Sequence, residues 1–485
     1  MLNMYQILFK ILLFLPIAGI LNSKFMNNNA PVQKIINTAI YSCIVFLSFY
    51  GVFSLKQYNF YSLNLFTISK NVSAIFTINS FNIIFCFVFS VILFFFNFIF
   101  QNYFDYLNLA QKYRLYNVQM FYLFWFYILI IFSQNIIIAS FLYILILIYS
   151  FFFITNPELK EFRNRYSFIF LISCLTSVIL IAMSGFYSLY NNGSVIFAIQ
   201  NIKKIDSLLS IYWLTTILFL LILVIFCGPI YLIFKEKFYY EDFLPLFVLY
   251  VFPFIVFNTL IFFKVLYYIF YNNINNIGLY FYYCGFFMPI IFILACFFSI
   301  KYIKNNLKFI ILFNVCNFLV FISQLLLVTS EQEIINAFSY FLLFIGSITL
   351  NVLAYSGILF LLLKTETILV NNLYKKYKLE LNFYMFCLGF PLIINIISFF
   401  SLNFHNFNII YFFNLIELVV LIVIYCIDLI FNYKKIDNPK NNKEPINVKK
   451  DILVKFFVPQ VAFLAVFLFL FLMREQIFRF IIFYK

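Results

Sequence analysis

Glu417 and Lys264 are the residues of this chain best placed to do chemistry, because each is a charge inside a stretch apolar enough to lie in hydrocarbon. A charge at the bilayer centre costs about 2.5–3.5 kcal/mol on insertion scales, so it needs a partner, water or neutralisation. Glu417 sits in FFNLIELVVLIV, close to the middle of its stretch. A glutamate side chain cannot reach water from there, so it is expected to be protonated, paired with a lysine or next to water. That makes it the first proton-site candidate. Lys264, in TLIFFKVLYYIF, lies nearer one end of its stretch, and Lys10 and Asp428 lie nearer still. These three are expected to snorkel, keeping an apolar stem in lipid and a charged head at the interface.

Other chemistries lack their residues. The nine cysteines are scattered, with no C-x-x-C pair, and His405 is the sole histidine. Zinc, haem and iron–sulfur sites need clustered Cys or His ligands, so no metal site is expected. No Gly-rich dinucleotide fingerprint is present either. No cofactor is expected in this chain.

The elements that must hold these charges are membrane spans. Hydrophobic residues are 65% of the 485-residue chain and charged residues only 10%. A transmembrane helix needs roughly 20 mostly apolar residues, since lipid cannot satisfy a broken backbone. Such stretches run over 5–23, 35–55, 79–101, 117–135, 136–155, 167–190, 208–234, 243–272, 278–302, 307–329, 334–364, 382–402, 408–431 and 452–473. The expected fold is an all-α polytopic membrane protein with about 14 transmembrane helices. Only Ser133, Gln134 and Asn135 separate the fourth stretch from the fifth.

Charge gives an independent check on that count. About 22 of the 32 Lys and Arg fall in the odd-numbered loops and about 4 in the even ones. Basic loops stay on the matrix or cytoplasmic side, so both termini are expected on the opposite side. The net charge of +15 then serves topology and meets anionic lipid headgroups. The longest polar stretch, the basic loop 432–451, carries Lys434, Lys435, Lys440, Lys443, Lys449 and Lys450. It lacks the interleaved aromatics of a nucleic-acid surface, and no nucleic-acid partner is expected. Residues 1–485 read as a single membrane domain that ends, past this loop, in the last transmembrane helix at 452–473.

Phe (77) and Tyr (37) abound, while Gly (10) and Trp (2) are scarce, a bias that an AT-rich genome imposes. The first span follows Met1 almost at once, without an Arg-rich presequence. The compositional bias suggests a chain encoded by an organelle or by a reduced endosymbiont. Several spans carry an internal proline, among them Pro229, Pro253, Pro289, Pro391 and Pro459. Proline frees a backbone carbonyl, and broken helices at equivalent places in two halves mark transporters built from inverted repeats.

The order and spacing of several segments resemble the antiporter-like membrane subunits of respiratory complex I, the NADH:ubiquinone oxidoreductase, and most closely the subunit 2 type. The segment TSVILIAMSGFYSLYNNGS keeps Ser177, Gly185, Tyr190, Gly193 and Ser194 in the family's order. The segment GPIYLIFKEKFYYEDFLPLFVLYVFPFIVF places Pro229, Tyr240, Glu241, Pro245 and Pro253 where that family has its broken helix, Tyr-Glu loop and in-helix proline. Ile303, Lys304 and Asn351 fit further motifs, and Gly389 and Pro391 fit a Gly-Leu-Pro-Pro signature. The resemblance covers roughly residues 5–470 and implies an antiporter-like fold with broken helices. It also implies a location in the mitochondrial inner membrane, or in the inner membrane of an AT-rich bacterium.

The departures bear on mechanism. The family uses a Glu in the fifth span, a Lys in the seventh, and further Lys or Glu in the eighth and twelfth. By spacing those positions fall on or near Ile144, Val224, Phe254 and Phe399, all apolar. A coupled Lys–Glu pair cannot operate without either partner. The resemblance thus implies a non-redox subunit of an H+-translocating NADH:ubiquinone reductase, mainly structural or weakly proton-conducting, with Glu417 and Lys264 as its remaining proton-path candidates. NADH, flavin, iron–sulfur clusters and ubiquinone would belong to other subunits, and the partners would be other membrane-arm subunits. The competing reading is a stand-alone 14-helix secondary transporter or flippase, against which the scarcity of intramembrane charge counts.

Overall fold

In the computed structural model the described residues are 2–25, 30–54, 61–69, 72–78, 80–106, 110–133, 136–154, 175, 289, 292–297, 300, 306–325, 331–365, 377–402, 409–433 and 450–472. The stretches 208–234 and 243–272, almost all of 167–190 and most of the loop 432–451 lie outside them, as do Lys264, Pro229, Tyr240, Glu241, Pro245 and Pro253.

The described helices fall into two compact units, one within residues 1–228 and the other within 273–472. The first contains α1 (Leu2–Phe25), α2 (Ala30–Ser54), α3 (Ser80–Tyr106), α4 (Ala110–Phe132) and α5 (Ile136–Ile154). The second contains α6 (Asn306–Leu325), α7 (Glu331–Thr365), α8 (Lys378–Leu402), α9 (Ile409–Tyr433) and α10 (Lys450–Leu472). Among the described residues, six helices are long and apolar enough to cross a membrane, and the apolar segments Tyr116–Phe132, Leu312–Gln324 and Phe457–Leu470 are shorter.

In the first unit α1 packs on α2 and α4, and α3 on α2 and α4. Aromatic rings fill the seams: Tyr41 stacks on Phe121 at 4.5 Å between centroids, and Phe9 meets Phe132 edge-on at 5.3 Å. The C-terminal carbonyls of α1 have no partner within their own helix. Arg114 of α4 supplies one, its Nε donating to the Ser23 oxygen at 2.9 Å and its guanidinium also to the Lys24 oxygen. Asn22 donates to Asn37 Oδ1 at 2.8 Å and Gln33 to the Ser23 oxygen at 3.1 Å, fastening α1 to α2. Helices α4 and α5 are separate elements despite their three-residue spacer, and Ser133, just past the end of α4, bridges Phe76.

One element departs from the all-α expectation. Residues Tyr61–Ser69 (β1) and Val72–Ile78 (β2) form an antiparallel hairpin in the register Tyr61↔Ile78, Leu63↔Phe76 and Ser69↔Val72. The segment YSLNLFTIS alternates polar and apolar residues near its ends, and both strands are rich in β-branched and aromatic types. A span-length hydropathy window averages that period-2 pattern away, which hides the hairpin from a search for helices. Asn82 ties it to α3 by donating to the Thr77 oxygen at 2.9 Å.

In the second unit α6 is buried along Leu312–Gln324, α8 packs on α6, α7 and α9, and α10 packs on α7. Phe321 stacks on Phe344 at 4.7 Å, joining α6 to α7. Helix α7 uses Gly346 to seat the ring of Phe467 from α10; a Cβ there would lie 2.6 Å from that ring. Pro391, expected at a helix break, lies inside the continuous helix Lys378–Leu402.

Exposed faces are apolar rather than polar. Ile7, Phe14, Ile35 and Phe46 are exposed on α1 and α2, and Phe412, Ile416, Val419 and Val423 on α9. Asn37, Ser48, Asn97, Asn317 and Glu417 are buried instead, an arrangement suited to lipid and unsuited to water.

Candidate functional site: a buried polar file around Glu417

Helix α9 sorts its residues by period. Asn414, Glu417, Leu421, Ile424 and Asp428 are buried at i, i+3, i+7, i+10 and i+14, while Leu415, Ile416, Val419, Ile422 and Val423 are exposed. Glu417 is only 2% exposed and therefore faces protein rather than lipid. Its position one turn from Asn414 brings both side chains to one hydroxyl on α6, that of Ser323.

Ser323 Oγ lies 2.8 Å from Glu417 Oε2 and also hydrogen-bonds Asn414 Oδ1. Glu417 Oε1 and Asn414 Nδ2 have no hydrogen-bond partner among the described residues. No lysine or arginine among those residues pairs with Glu417; the one ion pair formed there is Lys34–Asp105.

From Ser323 the polar file continues along α6. Gln324 Nε2 donates to the Asn395 oxygen of α8 at 3.0 Å, and Ser398 donates to Gln324 Oε1. Asn395 Nδ2 in turn donates to Asn317, at 2.9 Å to its main-chain oxygen and 3.0 Å to Oδ1. One turn earlier Asn314 Oδ1 accepts from Asn351 Nδ2 of α7 at 3.0 Å. All of these residues are buried. In lipid such bonds average about 0.6 kcal/mol each, enough in sum to fix how α6, α7 and α8 meet.

The chemistry divides along the file. A hydroxyl both donates and accepts through one oxygen and can pass a proton on; a side-chain amide donates from nitrogen, accepts at oxygen, and keeps its protons. Only Ser323 next to Glu417, and Ser398 next to Gln324, have the relay type of group. The stretch through Asn395, Asn317, Asn314 and Asn351 is a clasp between helices, not a wire.

Two residues named from sequence fall in or beside this region. Asn351 is in the file, and Gly389 of α8 lies under the Tyr425 side chain of α9: a Cβ there would lie 2.9 Å from the Tyr425 hydroxyl. Asp428, expected to snorkel outward, is instead 1% exposed, because it shares the inward stripe of Glu417. Lys10 is exposed on α1. Phe399, expected on or near the resembled family's twelfth-span charge, is buried against Tyr411 with centroids 4.7 Å apart. Ile144 lies within α5. Sequence reasoning missed Ser323, Asn414, Asn317, Gln324, Asn395 and Ser398. Asn314, Asn317 and Gln324 at i, i+3 and i+10 of an apolar helix were the available signal.

By sequence, no known protein family and no curated protein matches the chain. By structure, the fold is similar to a chain of the membrane-bound sulfane sulfur reductase, an archaeal respiratory membrane complex, with a TM-score of 0.69 and 10% identity over 93% of this chain and 74% of that one. It is also similar to a chain of respiratory complex I from Thermus thermophilus with bound NADH, with a TM-score of 0.63 and 8% identity over 97% of this chain and 98% of that one. At these identities the shared property is the fold.

Proposed function

We propose that this chain is a membrane-arm subunit of a proton-pumping NADH:ubiquinone oxidoreductase, subunit 2-like and mainly structural. The observation that carries the reading is the likeness to a complex I chain from end to end, 97% of one and 98% of the other. The motif order from Pro229 to Pro391 supports the subunit 2 type. On this reading the chain crosses the mitochondrial inner membrane about 14 times with both termini opposite the matrix, and its basic loops meet anionic lipid. It carries no redox centre; NADH, flavin, iron–sulfur clusters and ubiquinone belong to its partners.

The structural role follows from what fills the core. By the spacing of the resembled family a charge would fall on or near Phe399, which is apolar, and the amide clasp from Asn351 to Asn395 joins helices without relaying protons. Glu417 is left as an isolated proton site, with Lys264 as a second candidate.

Native-gel separation of solubilised membranes, with mass spectrometry of each slice, tests the reading. Co-migration with NADH-oxidising activity, at one copy per core subunit, is expected. Migration alone or with unrelated partners would overturn it in favour of a stand-alone transporter.

A further inference from the structure

Ser323 has one hydroxyl proton and faces two acceptors, Glu417 Oε2 at 2.8 Å and Asn414 Oδ1. A serine cannot donate to both. One of the two contacts must therefore run the other way, and each choice fixes a different number of protons on the group. If the amide oxygen faces Ser323, as here, Ser323 donates to Asn414 and Glu417 must be the donor, through a carboxylic O–H. If the amide turns over, Asn414 Nδ2 donates to Ser323 and Ser323 donates to a carboxylate.

We propose that Ser323, Asn414 and Glu417 form a proton-holding triad with two hydrogen-bond patterns that differ by one proton on Glu417. This deepens the proton-site reading of Glu417 above, and it holds whether or not the chain belongs to a respiratory complex. On release the protonated carboxyl turns about its Cγ–Cδ bond so that its O–H faces away from Ser323. That O–H is the bond broken, the proton goes to a water there, and the Asn414 amide turns over as Ser323 becomes the donor to the carboxylate. Both patterns use the same three side chains, and the turnover is open because Asn414 Nδ2 has no partner to lose among the described residues. Glu417 Oε1, also without a partner there, is the oxygen left for the water.

Among the described residues the neighbouring elements carry a few other groups that titrate. The Cys296 thiol, 3.9 Å from that of Cys316 on α6, lies within electrostatic reach of Glu417. Helix α8 brings Tyr384 and Cys387, and α9 itself carries Tyr411, Tyr425 and Asp428. Among the described residues none of these bonds the Glu417 carboxyl, so the triad's proton count is set by Ser323 and Asn414. Ser323 is a positioning residue here: it decides which form of the carboxyl is satisfied, and Glu417 holds the proton.

Infrared difference spectroscopy on the full chain, purified in whatever assembly it occupies, tests this. A carboxylic-acid C=O band is expected that disappears in Glu417→Gln and moves to higher frequency in Ser323→Ala, where the O–H loses its acceptor. Ser323→Thr restores the position of the band. Should Ser323→Ala fail to assemble, Ser323→Cys, a weaker acceptor of similar volume, is expected to give a smaller shift in the same direction. No carboxylic-acid band removed by Glu417→Gln, or a band indifferent to both substitutions at Ser323, would overturn the triad. Failure of co-migration on the native gel would leave the infrared result unchanged, so the two readings can fail separately.

Discussion

The Tyr425 hydroxyl donates to the main-chain oxygen of Met385 at 2.7 Å, reaching across Gly389. This bond joins α8 to α9, the helix that carries Glu417.

Gly389→Ala places a methyl group 2.9 Å from the hydroxyl and 3.1 Å from Tyr425 Cζ. Overpacking of this kind costs about 1–3 kcal/mol. Tyr425→Phe alone removes the bond to the Met385 oxygen, at about 0.5–1.5 kcal/mol. The double substitution should cost less than the sum, because the added methyl and the hydroxyl compete for one space. Thermal midpoints of the three variants in lipid nanodiscs check this; strict additivity would mean that Gly389 does not accommodate Tyr425.

Substitution of Asn395 or Asn317 by leucine tests the clasp between α6 and α8. A cycle on these two side chains reads the Asn395 Nδ2–Asn317 Oδ1 bond, because the bond to the Asn317 main-chain oxygen survives Asn317→Leu and the bond from Gln324 goes to the Asn395 main chain. A double-mutant cycle should give a coupling of about 0.6 kcal/mol and no more than about 1.7. A coupling near zero would remove the side-chain bond from the account and leave Asn395 held by the Asn317 main-chain oxygen.

Two polar contacts in the first unit should respond very differently. The guanidinium of Arg114 bonds two α1 carbonyls through a fork that an ammonium cannot reproduce. Arg114→Lys should cost about 1.5–3 kcal/mol. The Lys34–Asp105 pair has side chains 23% and 53% exposed. Asp105→Asn should cost under about 1 kcal/mol, and less at high salt. Unfolding at low and high salt separates the two; equal losses would contradict the capping role of Arg114.

Much of the helix pattern was legible because hydrocarbon imposes one rule on length and polarity. The expected stretches 382–402 and 408–431 became Lys378–Leu402 and Ile409–Tyr433. The hairpin at Tyr61–Ile78 was not legible, since a period of two residues vanishes in a window built for spans. Glu417 stood out as a lone charge at mid-span, and it is indeed buried. Its partner Ser323 did not, because a serine among apolar residues carries no signal until a neighbouring helix brings Asn414 and Glu417 to it. Asp428 was misjudged for a related reason. Its nearness to a span end argued for the interface, whereas its phase on the helix, fourteen residues after Asn414, turned it inward.

The most direct measurement is the number of protons pumped per electron in the intact complex carrying Glu417→Gln. A structural subunit whose proton is held at one site, with an amide clasp in place of a relay, leaves that ratio unchanged at normal assembly. A lower ratio at normal assembly would contradict this and make Glu417 part of a conducting path.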